Sequence, residues 1–285
     1  MYNSCLFVVE GGLGKSIIAL SLLKPLKKKY QKVYVLVAYP DIFQYAGLVD
    51  GVFLFGSHIY NELILQDDVE VLWREPYNNN DFIKKRAHIL EAWTNELDLK
   101  KEEIDYDFTF DNLPNDLLKE TEKIKNDING DYLIIQFTGG QSPINPQDKY
   151  IEVLKRNYPY PQELIDKLSE IYSSTTILNF SLPNENNYQK TIRLEAPYLY
   201  YVDLLKEAKA VICIDSSLQH ISKVANKQAI VLWGETRPKH FGWKKHINLA
   251  KPVFNSAPYF KPLGQSPAIV EFAKPDEVIN KLDLT

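Results

Sequence analysis

Val211-Ile212-Cys213-Ile214-Asp215-Ser216-Ser217-Leu218-Gln219-His220 is the stretch on which the fold turns. Four apolar residues read as a buried strand, Asp215-Ser216-Ser217 as a polar turn, and the rest as the start of a helix. Serine at a helix start suits the free backbone N–H groups there. Those groups, with the helix dipole, also make a seat for a phosphate. His220 lies four residues after Ser216, hence on the same side one turn further on. Ala229-Ile230-Val231-Leu232-Trp233 then reads as the next strand, running into the polar loop Gly234-Glu235-Thr236-Arg237-Pro238. In doubly wound sheets, ligands bind outside the carboxyl ends of the strands, where both loops fall.

The same strand–turn–helix rhythm extends in both directions. Tyr132–Phe137 is a strand followed by the turn Thr138-Gly139-Gly140, helices are expected at 161–172 and 202–209, and Thr176–Phe180 is a further strand. Toward the N-terminus, residues 99–130 are dense in Lys, Asp and Glu and end in the polar run Asn126-Asp127-Ile128-Asn129-Gly130, which places a domain boundary near Gly130. Before it, Leu6–Val9 is a strand, Glu10–Gly14 a glycine turn, and residues 17–29 a helix closed by Lys27-Lys28-Lys29. Val33–Ala38 completes a β-α-β unit, further strands fit 51–55 and 69–72, and a helix fits 81–97. The expected architecture is α/β with two doubly wound, Rossmann-like domains over residues 1–130 and 131–285.

Composition narrows the function classes. The 285 residues carry 33 Lys+Arg against 37 Asp+Glu, a net charge of −4, which argues against a nucleic-acid coat or a polybasic membrane binder. Hydrophobic residues at 45% and charged residues at 25% are those of a globular chain with a sizeable core. Cys5 and Cys213 fall in separate apolar runs and read as buried, reduced thiols. No apolar run reaches the roughly 20 residues that span a bilayer, and the N-terminus lacks a signal-peptide pattern, so a cytoplasmic location is expected.

Glu10-Gly11-Gly12-Leu13-Gly14-Lys15-Ser16 must be weighed as a phosphate loop. The standard G-x-x-x-x-G-K-[ST] fails because position 9 is Val. The shorter K-G-G-x-G-K-[ST] of ParA/MinD-type ATPases matches except that Glu10 replaces its first lysine, and a carboxylate there repels phosphate. Val35–Asp41 is a poor candidate for the magnesium-binding strand such an ATPase needs. The plain alternative is a tight turn that brings backbone close to a ligand.

Residues 208–220 resemble the A-x-x-V-V-x-x-D-[ST]-G-x-x-H segment of the heptosyltransferase-like glycosyltransferases, family 9. The continuation, residues 227–238, is similar in order and spacing to the P-x-V-x-L-[FY]-G-P-T-x-P that follows in that family. The N-terminal glycine turn and Leu22–Tyr30 resemble its start, and Leu178–Glu185 sits where the family carries a strand and an acidic loop. The resemblance implies the GT-B fold, two Rossmann-like domains facing a cleft, and a metal-independent, inverting transfer of sugar from a nucleotide-diphosphate donor, without a cofactor. By the same resemblance the second domain holds the donor, with Thr138, Gly139, Gly140, Asp215, Ser216, Ser217 and His220 around it. Glu185 would receive the ribose hydroxyls, and Lys155 or Arg156 would neutralise the leaving diphosphate. Gly11, Gly12 and Gly14 would form an acceptor-side loop.

One departure touches the chemistry itself. Where the family's glycine turn ends in an Asp, its general base, this chain has Lys15, and an ordinary lysine is protonated at neutral pH. Three explanations stand: another carboxylate (Glu10, Asp41 or Glu75) is the base, Lys15 meets an anionic acceptor or phosphate, or the protein binds nucleotide sugar without catalysis. Glu10 and Lys15 are the catalytic candidates on the turn itself. Ser217 replaces the family glycine after Asp-[ST], and Glu235 its proline. The acceptor is left open as a glycan, a protein, a small molecule or a modified nucleic-acid base.

Overall fold

The computed structural model describes residues 2–110, 113–139, 156–181, 187–254 and 269–282. Contacts divide the chain into two compact units, Met1–Pro114 and Asn115–Thr285.

The first unit is built on β1 (Ser4–Val9), which is buried along its whole length. Leu6 and Val8 cluster with Leu63 and Val69, while Phe7 meets Trp93 with ring centres 5.4 Å apart. A strand covered on both faces must be apolar throughout, which is why it reads as an unbroken run. The chain then turns at Gly11 (φ +102°), a backbone conformation that costs glycine little, and enters α1 (Leu13–Ala19). After a tighter turn at Leu20–Leu22, α2 (Leu23–Lys29) follows. The single helix expected over 17–29 is thus divided. Pro25 has no N–H for the Ser21 carbonyl, which accepts from the Asp105 N–H at 2.9 Å instead.

The sheet continues with β2 (Lys32–Val37), α3 (Pro40–Ala46), β3 (Gly51–Leu54), α4 (Ile59–Ile64) and β4 (Val69–Leu72). Its order is β3-β2-β1-β4 and every pairing is parallel. The helix expected over 81–97 is two helices, α5 (Asn80–Ile83) and α6 (Ile89–Glu96). Lys85 takes a left-handed conformation between them, and the His88 ring caps α6 by accepting from the Leu90 N–H.

The second unit opens earlier than the sequence pattern suggests. Residues 115–128, read as part of a polar first-domain tail, form α7 (Asn115–Ile128), the first element of the unit. Only Leu117 and Thr121 of this charged helix are buried, so it lacks a long apolar stripe. What ties it down is polar: the Thr121 hydroxyl donates to Asp203 Oδ2 at 2.7 Å, and Lys125 lies 2.8 Å from the same carboxylate. Asp203 sits on α9, which follows β5 (Tyr132–Gln136), α8 (Pro161–Ile171), β6 (Thr176–Asn179) and β7 (Ile192–Arg193) and spans Tyr200–Glu207.

Next come β8 (Val211–Ile214), α10 (Ser217–Val224), β9 (Ile230–Trp233), α11 (Pro238–Phe241) and β10 (Ile247–Ala250). A short antiparallel pair, β11 (Val253–Phe254) and β12 (Ile269–Val270), and α12 (Pro275–Ile279) complete the unit. The large sheet has the order β10-β9-β8-β5-β6-β7 and is parallel throughout. Leu133, Ile135, Ile212 and Leu232 pack with Leu164 and Leu168 of α8 and Val278 of α12 in its core. Both units are therefore α/β layers on parallel sheets. Each sheet reverses its strand order beside its first strand, at β1/β4 and at β5/β8.

Candidate functional site

The loop after β8 projects Asp215 at the carboxyl end of the large sheet, directly at its point of reversal. Asp215 is buried, and burial raises its pKa above the ordinary carboxylate value. The positive charge of Arg156 and the neighbouring Thr236 and Gln219 side chains act the other way. The Gln219 amide donates to Asp215 Oδ1 at 2.5 Å from one turn into α10. Ser216 occupies the N-cap position of α10, but its hydroxyl does not cap the helix; it donates to Gln136 Oε1 at the end of β5. That bond joins the two loops across the reversal point.

Residues beyond β5 are drawn to the same edge. The Gly139 N–H donates to Asn157 Oδ1 at 3.0 Å, and the Tyr158 N–H donates to the Phe137 carbonyl at 3.0 Å. These bonds hold Arg156 next to the turn Thr138-Gly139, both residues of which are half-buried. His220 is buried on α10, where its Nδ1 accepts from Trp243 Nε1 at 2.8 Å, so the neutral ring carries its proton on Nε2. Ser217 is half-buried at the first turn. Gly140, Lys155 and Glu185 lie outside the described residues.

Gln136, Gln219, Thr236 and Asn179 escaped the sequence reading. All four are buried, and Asn179 ends β6 beside β5. A polar residue terminating an otherwise apolar strand was the signal for Gln136 and Asn179. Behind Gln219, the buried His246 ring bonds the Gln219 carbonyl through Nε2 at 2.8 Å and accepts from the Ala229 N–H through Nδ1 at 3.2 Å. Burial lowers the His246 pKa to about 4, so it supports α10 as a neutral ring.

A second constellation occupies the first sheet's reversal point. Lys15 Nζ donates to Glu75 Oε2, bringing the glycine turn after β1 to the loop after β4. The ammonium stands 5.2 Å from the Tyr77 ring centre and 5.3 Å from that of Trp93. Gly11 lies over the lysine stem, since a Cβ there would stand 3.3 Å from Lys15 Cδ. Gly12 is the N-cap of α1, and Gly14 lies within its first turn. Ser16 is fully buried, its hydroxyl 3.5 Å from the Gly12 carbonyl. A phosphate loop uses that lysine and serine for phosphate and magnesium, but both are engaged elsewhere here. Glu10 is half-buried at the end of β1, and Asp41 is exposed in the first turn of α3. Among the described residues, no helix is long and apolar enough to cross a membrane.

Comparison with known proteins fits this geometry. Residues 199–261, which contain Asp215, Ser216, Ser217 and His220, match the model of glycosyltransferase family 9 (heptosyltransferase). No curated protein matches the sequence. Among solved structures, the chain is similar to ADP-heptose LPS heptosyltransferase II of E. coli, at 12% identity and TM-score 0.63, over 99% of this chain and 98% of that one. A family 9 glycosyl transferase from Veillonella parvula DSM 2008 gives 12% identity and TM-score 0.63 over 87% and 85%. E. coli heptosyltransferase WaaC, solved with ADP-2-deoxy-2-fluoro heptose, gives 14% and 0.51 over 87% and 93%. At these identities the likeness establishes the fold, and the family match is confined to residues 199–261. The chain thus has the fold of the heptosyltransferases, and its residues 199–261 are similar to glycosyltransferase family 9.

Proposed function

We propose that the protein transfers a sugar from a nucleotide-diphosphate donor to an acceptor hydroxyl, without a metal and with inversion. The observation that carries this reading is the buried Asp215, fixed by Gln219 at the reversal point of the large sheet inside the matched family segment. An ionisable group held by neutral donors in a crevice is a functional-site signature. The relatives solved with ADP or ADP-linked heptose support a nucleotide-sugar donor for this chain as well.

In this reading Asp215, Ser216, Ser217 and His220 receive the sugar and diphosphate, with Thr138, Gly139 and Gly140 beside them. Arg156, whose charge reaches Asp215, and Lys155 offset the negative charge that builds on the leaving diphosphate. Glu185 takes the ribose. The first unit, with Gly11, Gly12 and Gly14 in its turn, serves the acceptor, which is a glycan, a protein, a small molecule or a modified nucleic-acid base. Cys5 and Cys213, both free and buried, with the Cys5 thiol pushed up to about 12, suit a reducing, cytoplasmic compartment. Release of nucleoside diphosphate from nucleotide sugars tests the assignment. It should vanish in Asp215→Ala and His220→Ala while circular dichroism stays that of the wild type. Undiminished release in both variants would overturn the assignment.

A further inference from the structure

Glycosyl transfer needs a group that stands in for the missing aspartate on the glycine turn. Glu75 differs from the other carboxylates near that turn in one respect: its two oxygens have different surroundings. Oε2 is taken by the Lys15 ammonium, whereas Oε1 is buried without a hydrogen-bond partner. The Lys15 side chain is 7% exposed and that of Glu75 22%, so the pair is held inward, with part of the Glu75 side chain reaching the surface. The preceding residue is fixed as well, because Trp93 Nε1 donates to the Arg74 carbonyl at 2.9 Å. A buried acceptor left bare is rare in native proteins and asks for a role.

The charge pattern indicates which partner suits it. Lys15 is already matched by Glu75 and enclosed by Tyr77 and Trp93, which leaves no net positive charge there for a phosphate or carboxylate. A bare carboxylate oxygen instead accepts from an O–H donor. Trp73, 56% exposed in the same loop, adds an aromatic face of the kind that lines small-molecule sites. Neither Glu10, half-buried with its own backbone at a strand end, nor the exposed Asp41 shows a comparable anchor.

Resting on the glycosyl-transfer reading, we propose that Glu75 is the base that takes the proton of a neutral, carbohydrate-type acceptor hydroxyl, with Lys15 as its positioning residue. The acceptor proton passes to Glu75 Oε1 as the acceptor oxygen bonds to the anomeric carbon of the donor. The bond between that carbon and the diphosphate oxygen breaks, and its electron pair leaves on the nucleoside diphosphate. Glu75 then returns its proton to solvent, so atoms and charge balance. A lysine thus stands on the turn where an aspartate is expected, and the carboxylate comes from the loop after the neighbouring strand, 60 residues further along the chain.

The test uses the full chain, UDP-, GDP-, ADP-, CMP- and dTDP-sugars as donors, and methyl glycosides or water as acceptors. Glu75→Gln should lower kcat by about 10²–10⁴-fold, with donor KM and donor-induced thermal stabilisation unchanged. Lys15→Met should also lose turnover, and Lys15→Arg should recover part of it. Should Glu75→Gln fold poorly, the double variant Lys15→Met/Glu75→Gln removes both charges together and should bind donor at wild-type strength without turnover. Turnover within twofold of wild type in either Glu75 variant would overturn the role of Glu75 and leave the donor reading intact. A wild type that binds donors but releases no nucleoside diphosphate would overturn the base while keeping the donor site. A wild type stabilised by none of the donors would overturn the glycosyl-transfer reading, and this proposal with it.

Discussion

The reversal points of the two sheets share a topology and oppose each other in chemistry. Around its first strand each sheet has the same order, β3-β2-β1-β4 in one and β7-β6-β5-β8 in the other. At β5/β8 the buried group is a carboxyl, Asp215, bonded by the Gln219 amide and acted on by the charge of Arg156. At β1/β4 it is a cation, Lys15, neutralised at once by Glu75 and bounded by aromatic rings. The fold supplies the location twice, and the loop residues decide what each location accepts. One crevice suits a ligand whose negative charge needs hydrogen-bond donors and a cation; the other presents a neutral, aromatic edge with one bare oxygen.

Four substitutions probe that contrast, in order of falling effect. Arg156→Met removes the cation from the β5/β8 crevice and should lower donor turnover by about 10²–10³-fold, as read from nucleoside diphosphate release. An unchanged rate would mean that this crevice does not need its cation. His246 comes second. Its native pKa of about 4 lies below the ordinary 6.5, so the unfolded chain binds a proton that the folded chain refuses between those values. Stability should therefore fall as pH drops from about 6.5 toward 4, by about 3 kcal/mol from this residue. Urea unfolding across that range should show a flatter pH dependence in His246→Asn than in the wild type.

Lys15→Met is third, because it leaves the Glu75 carboxylate without its partner. A fully buried pair broken in this way costs about 3–5 kcal/mol, and the partial exposure of Glu75 reduces the expected loss to about 2 kcal/mol. Restoration in the double variant Lys15→Met/Glu75→Gln, followed by urea midpoint, would confirm that pairing is the cause. The smallest effect is expected from Trp243→Phe, which removes the donor to His220 Nδ1 and should cost about 1 kcal/mol, with a modest rise in donor KM. No change in either quantity would separate Trp243 from the site.

How legible all this is in the sequence depends on burial. Ser4–Val9, Val211–Ile214 and Ile230–Trp233 are covered on both sides and read as apolar runs that periodicity finds readily. The strands β7 and β10 lie at the edges of the sheet, only partly buried, and carry no such run. Helix α7 is obscured for a related reason: it is held by Thr121 and Lys125 on Asp203 rather than by an apolar face. The Asp215 loop is local, so one stretch of chain displays it. The Lys15–Glu75 pair is not, since it depends on β4 lying beside β1, with Phe7 opposite Leu72, after two intervening strands. Sequence can nominate Glu10, Asp41 and Glu75 together; only strand order selects among them.

Ligand-induced thermal stabilisation reads out whether the β5/β8 crevice takes a nucleotide-diphosphate sugar. At about 100 times Kd a true ligand adds about 2.7 kcal/mol to stability. One class of nucleotide-diphosphate sugar should raise the melting temperature of the wild type but not of Asp215→Ala. Stabilisation by ATP with magnesium that is lost in Lys15→Ala, with none by any nucleotide sugar, would contradict it.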